Sequence, residues 1–245
     1  LFDMAYGRDI SGGGNEMTVG LFETEGLSRV YHAGRSSEVC ALSDVSLVIP
    51  EGSYVVLAGA SGSGKTTLLS LLGALDRPTG GRVRFGDRHL EDCSDVELAR
   101  QRRRMGFVFQ DFSLIPRLPI WENITYPQIP RGMSTSDRRQ VAEDELSRLG
   151  LGAKCDVVPE ELSGGEQQRA AVARALIGDP EVVFADEPTS NLDRRSAAEL
   201  ASIFAEINAA GTTLVVSTHD PDLLDQASHV FTLEDGRLLE TEVKS

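Results

Sequence analysis

Gly59-Ala60-Ser61-Gly62-Ser63-Gly64-Lys65-Thr66 fits the phosphate-loop (Walker A) pattern G-x-x-x-x-G-K-[ST] at every fixed position. Tyr54-Val55-Val56-Leu57-Ala58 before it is apolar and β-prone and reads as a buried strand. Thr67-Leu68-Leu69-Ser70-Leu71-Leu72 after it reads as a helix. A strand, a glycine turn and a helix start aim several backbone N–H groups at one point, on the positive end of a helix dipole. A polyphosphate satisfies such donors, and Gly59, Gly62 and Gly64 let the backbone approach its oxygens. On this reading Lys65 reaches the β- and γ-phosphates as a point charge, and the Thr66 hydroxyl is a ligand to Mg²⁺.

The chain has 245 residues, 40% of them hydrophobic. That is enough for a substantial core in one α/β domain with a smaller subdomain. A formal net charge of −14 argues against nucleic-acid binding through the phosphate backbone and against adhesion to an anionic membrane. Cys40, Cys93 and Cys155 are widely spaced, with no CxxC pair, so neither a zinc site nor a disulfide framework is indicated. Reduced thiols are the expectation. No apolar run is long enough to span a bilayer. Residues 1–18, with their Ser11-Gly12-Gly13-Gly14 run, read as a flexible lead without the pattern of a secretory signal.

Further strands are expected over Val19–Val30, Asp44–Ile49, Arg82–Phe85 and Met105–Phe109. A polar helix is expected over Asp95–Arg104. Phe112–Met133, with four prolines and the only tryptophan, Trp121, reads as irregular. Helices are predicted at Asp137–Leu149 and from Ser163 to about Ile177, with Ser163 and Glu166 at capping-box spacing. These look like a helical insertion in an α/β core. The α/β pattern returns with a strand at Glu181–Ala185, a helix at Arg194–Ala209, a strand at Thr212–Ser217 and a helix at Asp220–Ala227. Two strands then flank the hairpin signal Asp235-Gly236.

Two further features carry chemistry. Val182-Val183-Phe184-Ala185-Asp186-Glu187 is an apolar strand ending in acids. A carboxylate at the carboxyl end of a strand beside a phosphate loop suits the Mg²⁺ shell, which is the role read for Asp186. Glu187, one residue on, is placed to polarise an attacking water. Leu162-Ser163-Gly164-Gly165-Glu166-Gln167-Gln168-Arg169 is either a second anion site at a helix start or simply a capped helix. Together with the first two motifs, Leu162-Ser163-Gly164-Gly165 and Gln168-Arg169 resemble the signature of ABC-type ATPase cassettes.

That resemblance covers the chain from about Val19 onward. It implies a P-loop NTPase fold with a RecA-like α/β core, an antiparallel β subdomain and a helical subdomain. The cassette would occupy 19–245, with the helical part at about 112–178. It implies ATP as substrate with Mg²⁺, and a homodimer or pseudo-dimer in which Ser163, Gly164 and Gly165 of one copy close on the γ-phosphate held by Gly59–Thr67 of the other. Position by position, Gln110 matches the glutamine that touches Mg²⁺ and the water. Asp193, in Ser190-Asn191-Leu192-Asp193, matches the loop that couples the two sites, and His219 matches the switch histidine at the γ-phosphate. Tyr31 matches the aromatic that stacks on adenine, and Val39 is a further candidate for a base contact. Thr67 stands where Ser-Thr is the commoner pairing after the lysine, and Ala170 replaces a larger apolar residue. No catalytic position is missing, so an active ATPase is expected, with Glu187, His219, Lys65 and Gln110 as its catalytic set.

Leu75-Asp76-Arg77-Pro78-Thr79-Gly80-Gly81, Gly106-Phe107-Val108-Phe109-Gln110 and Trp121-Glu122-Asn123-Ile124 look like the branch of lipoprotein-release and macrolide-export ATPases. A membrane permease subunit would dock near Phe112–Met133 and hold the cassette peripherally on the cytoplasmic face of the inner membrane. Trp121 is either part of that docking patch or buried in the helical subdomain. DNA-repair relatives would need a long coiled coil between Lys65 and Leu162, and the interval has no sustained heptads. Translation factors of the family need two cassettes and a basic linker. Solute-importer ATPases are the nearest rival; they commonly carry an additional C-terminal regulatory domain, which is not expected here.

Overall fold

The computed structural model describes residues 20–244; the lead expected at 1–18 lies outside them. The first part of the chain forms β1 (Gly20–Tyr31), β2 (Val39–Pro50), β3 (Tyr54–Ala58), α1 (Lys65–Leu72), β4 (Gly80–Phe85) and β5 (Arg88–His89). Next come α2 (Asp95–Arg102), β6 (Met105–Val108), α3 (Ile120–Thr125), α4 (Thr135–Arg148) and α5 (Gly164–Leu176). The last part forms β7 (Val182–Asp186), α6 (Arg194–Ala209), β8 (Thr213–Ser217), α7 (Pro221–Gln226), β9 (His229–Glu234) and β10 (Arg237–Val243).

The core is a six-stranded sheet in the order β10-β9-β3-β8-β7-β6. Its strands β9, β3, β8, β7 and β6 run parallel, and β10 pairs antiparallel with β9. β3, β7 and β8 are buried at almost every position, as expected of parallel strands covered on both faces. The side chains alternate between two cores. Val55, Leu57, Phe184 and Val215 join Leu68 and Leu72 of α1, and the inner face of a second, antiparallel sheet, β2-β1-β4-β5. Phe22 and Phe85 stack there with centroids 4.7 Å apart. Tyr54, Val56, Val183 and Val216 face the opposite side, against α5, α6 and α7. Leu200, Phe204 and Ile207 of α6 follow the helical spacing of a single buried stripe. Full burial of Phe204 contributes about 2–3 kcal/mol.

This topology positions the site. β3, β6, β7 and β8 all point the same way, so their carboxyl ends open onto one edge. Ala58 leads into the phosphate-loop stretch, Val108 to Gln110, Asp186 to Glu187, and Ser217 to His219. The β9–β10 turn supports the same edge. Asp235 and Gly236 both have positive φ, 47° and 76°, the geometry of the tight hairpin turn that the dipeptide signals. The Gly236 N–H donates to the Ser63 carbonyl at 3.1 Å.

Between β6 and β7 the chain leaves the sheet as helices with their own apolar cluster, centred on Ile120, Ile124, Leu146, Leu162 and Ala170. Here the structure corrects the sequence reading: Phe112–Met133 is not irregular throughout. It contains α3 and a 3-10 helix over Tyr126–Arg131. Six-residue helices are too short to display a period, and two of the prolines sit where helices tolerate them: Pro119 caps α3, and Pro127 lies in the first turn of the 3-10 helix, which also contains Pro130. Buried Asn123 fixes the preceding loop. Its Oδ1 accepts the Ile115 N–H at 2.6 Å, and its Nδ2 donates to the carbonyls of Ile115 (3.0 Å) and Leu118 (2.8 Å). Trp121 is half-buried at the cluster's margin, with the guanidiniums of Arg138 and Arg139 5.6 and 5.4 Å from its ring centroid. Arginine guanidiniums therefore lie over its ring, and the exposed large apolar side chains of the stretch are Ile115, Tyr126 and Ile129. The two-residue strand β5 was not anticipated.

Candidate active site

Gly59 follows β3 with φ 140°, and a Cβ there would collide with the Leu233 carbonyl oxygen, so only glycine fits. The turn that follows delivers Lys65 at the start of α1. The first intrahelical bond of α1 is from the Leu68 N–H to the Gly64 carbonyl at 2.9 Å, which leaves the N–H groups of Lys65, Thr66 and Thr67 without helical acceptors. Ser63 adds a buried hydroxyl with no partner. The cradle therefore holds donors that a phosphate would satisfy.

A cleft of about 650 Å³ opens over this cradle. Gly59, Ala60, Ser61, Gly62, Gly64, Lys65, Thr66 and Thr67 line one side, and Gln110, Glu187, Ser190 and His219 the other. Lys65 is almost fully buried. Its Nζ donates to the carbonyls of Gly59 (2.7 Å) and Ala60 (3.1 Å) and stands 3.9 Å from Glu187 Oε1. Glu187 Oε2 is 3.0 Å from His219 Nδ1. One carboxylate thus faces both the lysine and the histidine. Asp186 lies beside the cleft and shares with Thr66 a recess of about 70 Å³. An oxygen donor set of Thr66, Asp186 and Gln110 fits a small hard cation held jointly with phosphate oxygens.

Other expected residues lie elsewhere. Tyr31 does not line the cleft. Its hydroxyl donates to Asp76 Oδ2 at 3.0 Å, and Arg29 sits over its ring at 4.6 Å. Its cross-strand partner Val39 does line the cleft, with Cys40 and Ala41. Asp193 is also outside the cleft and caps α6. Its carboxylate accepts the N–H groups of Arg195 (2.9 Å) and Ser196 (3.0 Å) and the Ser196 hydroxyl (2.8 Å). These bonds, that from the Ser196 N–H foremost, hold its pKa below the usual carboxylate range.

Ser163, Gly164 and Gly165 form a separate helix tip. The Ser163 hydroxyl donates to Glu166 Oε2 (2.9 Å) and accepts the Glu166 N–H (3.3 Å), while the Ser163 N–H donates to the same carboxylate oxygen (2.8 Å). The capping box read from the spacing is present. The Ser163 N–H is the main reason the Glu166 pKa is lowered. The tip's exposed serine and the phosphate cradle do not share a cleft.

The family model for ABC transporters matches residues 42–190, which include the cradle, the Ser163 tip and the Asp186-Glu187 pair. The chain belongs to the ABC transporter family. It is an ATP-binding cassette, an ATPase by that membership. An ABC transporter ATP-binding protein of Thermotoga maritima is 43% identical over 211 residues, covering 86% of this chain and 90% of the relative. The macrolide export ATP-binding/permease protein MacB of Hyphomonas neptunium is 42% identical over 224 residues, 91% of this chain and 35% of MacB. This cassette thus spans about a third of the length of the MacB relatives it matches. Among solved structures, the ATP-binding cassette MJ0796, a dimer in a post-hydrolysis state bound to ADP and Pi, has a TM-score of 0.84 at 37% identity. The match covers 91% of this cassette and 98% of that chain. The cbiO1 protein of Clostridium perfringens, part of the ABC transporter complex cbiONQ, has a TM-score of 0.80 at 26% identity over 91% of this cassette and 88% of that chain. Among the described residues no helix is long and apolar enough to cross a membrane.

Cys40 in the cleft wall and Ser217 behind the acids are given no role by the sequence, and Ser190, read there only as the start of the Ser190–Asp193 loop, also lines the cleft. Ser217 is the last residue of an apolar strand, two residues before His219. Parallel-strand register would have set it beside Asp186.

Proposed function

We propose that the cassette hydrolyses Mg²⁺-bound ATP at two sites, each completed by a second cassette, and passes the closure to a membrane component of an export, lipoprotein-release or mechanotransmitting assembly. The observation that carries this is the convergence of Lys65, Glu187 and His219 on one cleft above the phosphate cradle. Lys65 would exchange its two loop carbonyls for phosphate oxygens. Thr66, Asp186 and Gln110 would hold magnesium, which supplies charge neutralisation on the phosphates. Glu187 would accept a proton from the attacking water, with His219 fixing the carboxylate's orientation. Positioning and charge stabilisation do most of the work in such a reaction. Tyr31 would stack on adenine after turning from Asp76, with Val39 beside the base. The exposed Ser163–Gly165 tip would meet the γ-phosphate of the partner copy, and Asp193 would hold the start of α6 at the same junction. The dimeric state of MJ0796 supports this pairing.

The permease function in the name of MacB supports a membrane partner and a peripheral position on the cytoplasmic face of the inner membrane. Docking near Phe112–Met133 is supported by exposed Tyr126 and Ile129 and by an adjoining groove of about 350 Å³. Phe107 and Phe109 line that groove with Arg102, Arg103, Arg131 and Arg174, and among the described residues no carboxylate lines it. An acidic amphipathic segment is the complement of such a surface.

The test is ATP turnover by the purified chain against Lys65→Ala. Turnover that depends on Lys65 supports the reading, and equal turnover overturns it. Tyr126→Asp with Ile129→Asp should abolish assembly with the membrane component while basal turnover persists.

A further inference from the structure

Ser217 ends β8 and is fully buried. Its register sets it between Leu57 of β3 and Asp186 of β7. Its hydroxyl donates to Asp186 Oδ1 and accepts the Glu187 N–H at 3.2 Å. The Ser217 carbonyl accepts the same N–H at 2.9 Å. Glu187 has φ 43°, a left-handed conformation that a side chain of this size adopts only when its surroundings impose it. Two acceptors on its one N–H impose it here. The left-handed backbone turns the Glu187 side chain toward Lys65 and His219, away from the path of a continuing strand. Asp186 is held at the same time: with Oδ1 engaged, Oδ2 is the oxygen left for the recess shared with Thr66.

We propose that Ser217 is a positioning residue for both acids: one buried hydroxyl sets the carboxylate rotation of Asp186 and the backbone turn at Glu187. The proposal rests on the reading of those two acids as the magnesium-side and water-side groups of the ATPase. It goes further by assigning their alignment to a side chain that touches neither substrate nor ion. Among the described residues the Ser217 side chain makes no hydrogen bond outside the pair. Its removal leaves Asp186 free to rotate and the left-handed turn held by a single acceptor.

The experiment compares the wild-type chain with Ser217→Ala, Ser217→Thr and Asp186→Asn. Mn²⁺ serves as the probe, bound together with a non-hydrolysable ATP analogue and followed by electron paramagnetic resonance. Turnover and melting temperature are measured on the same samples. Ser217→Ala should weaken Mn²⁺ binding and lower kcat by about tenfold each, the scale of one lost hydrogen bond to a charged group. KM for ATP should stay within about twofold. Ser217→Thr, which keeps the hydroxyl on a strand-compatible side chain, should recover both quantities. If Ser217→Ala matches wild type in Mn²⁺ affinity and kcat while Asp186→Asn loses Mn²⁺, the role of Ser217 is refuted and that of Asp186 stands. If Asp186→Asn itself binds Mn²⁺ normally, the reading of the acids falls, and the proposal with it. If Ser217→Thr fails like Ser217→Ala, or Ser217→Ala loses activity only in step with a fall in melting temperature, packing accounts for the residue and the proposal is overturned.

Discussion

Glu187→Gln should push binding and hydrolysis in opposite directions. The substitution keeps the side chain's size and its contact with His219 Nδ1, 3.0 Å away. It removes a negative charge 3.9 Å from Lys65 Nζ. A charge pair at that distance is worth about 1 kcal/mol in water and about 4 kcal/mol at the effective dielectric of a protein surface. The carboxylate is about one-fifth exposed and faces an open cleft, so the lower figure applies. An anionic triphosphate competes with that carboxylate for Lys65, so its neutralisation should tighten ATP binding about fivefold, the equivalent of about 1 kcal/mol. The same change removes the group that accepts the water's proton, an effect of about 10²–10⁴ on the chemical step. Equilibrium binding of a fluorescent ATP analogue measures the first quantity and single-turnover hydrolysis the second. Hydrolysis within about tenfold of wild type would refute the role given to Glu187. Binding that weakens together with hydrolysis would refute the electrostatic argument.

Three other outcomes follow from the geometry. Tyr31→Ala should raise KM for ATP about tenfold or more, the scale of one base-stacking contact, while Tyr31→Phe, which loses only the bond to Asp76, should not; equal KM values for Tyr31→Ala and wild type would remove Tyr31 from the site. Asn123→Ala deletes the three hydrogen bonds that this buried side chain makes to the 115–118 loop and should destabilise by about 2–3 kcal/mol, seen as a fall in melting temperature of about 5–10 °C. Glu145 is the pH-sensitive case. Burial raises its pKa above the usual carboxylate value, against the opposing pull of Arg148, and its Oε1 is buried without a partner. A raised folded-state pKa means that stability is fully present below the unfolded pKa and lost as pH rises through the folded one. Glu145→Gln should therefore raise the melting temperature at pH 7–8 and have little effect near pH 4, in thermal scans across that range.

Much of this site could be read from the chain because its chemistry constrains backbone as well as side chains. A cradle of N–H groups needs glycine at Gly59, and a lysine and hydroxyl at Lys65 and Thr66, in fixed order. The acids must end a buried strand, as Asp186 and Glu187 do. The helix tip at Ser163 announces itself through the Glu166 spacing. What stayed hidden depends on three-dimensional neighbours. Ser217 reads as one more residue of an apolar strand until register pairs it with Asp186. Trp121 reads as a docking aromatic or a core residue, and its half-buried place under the guanidiniums of Arg138 and Arg139 is set by neighbours in space. Tyr31 matches its family position, yet Asp76, 45 residues away, holds its hydroxyl outside the cleft. The 3-10 helix at Tyr126–Arg131 follows from tertiary hydrogen bonds, such as Gln128 Nε2 to the Ile177 carbonyl at 2.8 Å, and no local periodicity encodes it.

Two chains that enclose one nucleotide between the phosphate cradle of the first and the Ser163 tip of the second should associate only when ATP is bound. Sedimentation of Glu187→Gln with ATP and Mg²⁺ reads this out. The expected species has twice the 26.5 kDa chain mass, needs ATP to form and is lost in Glu187→Gln with Ser163→Arg. A protein that remains at the mass of one chain under saturating ATP, or a dimer indifferent to Ser163, would contradict it.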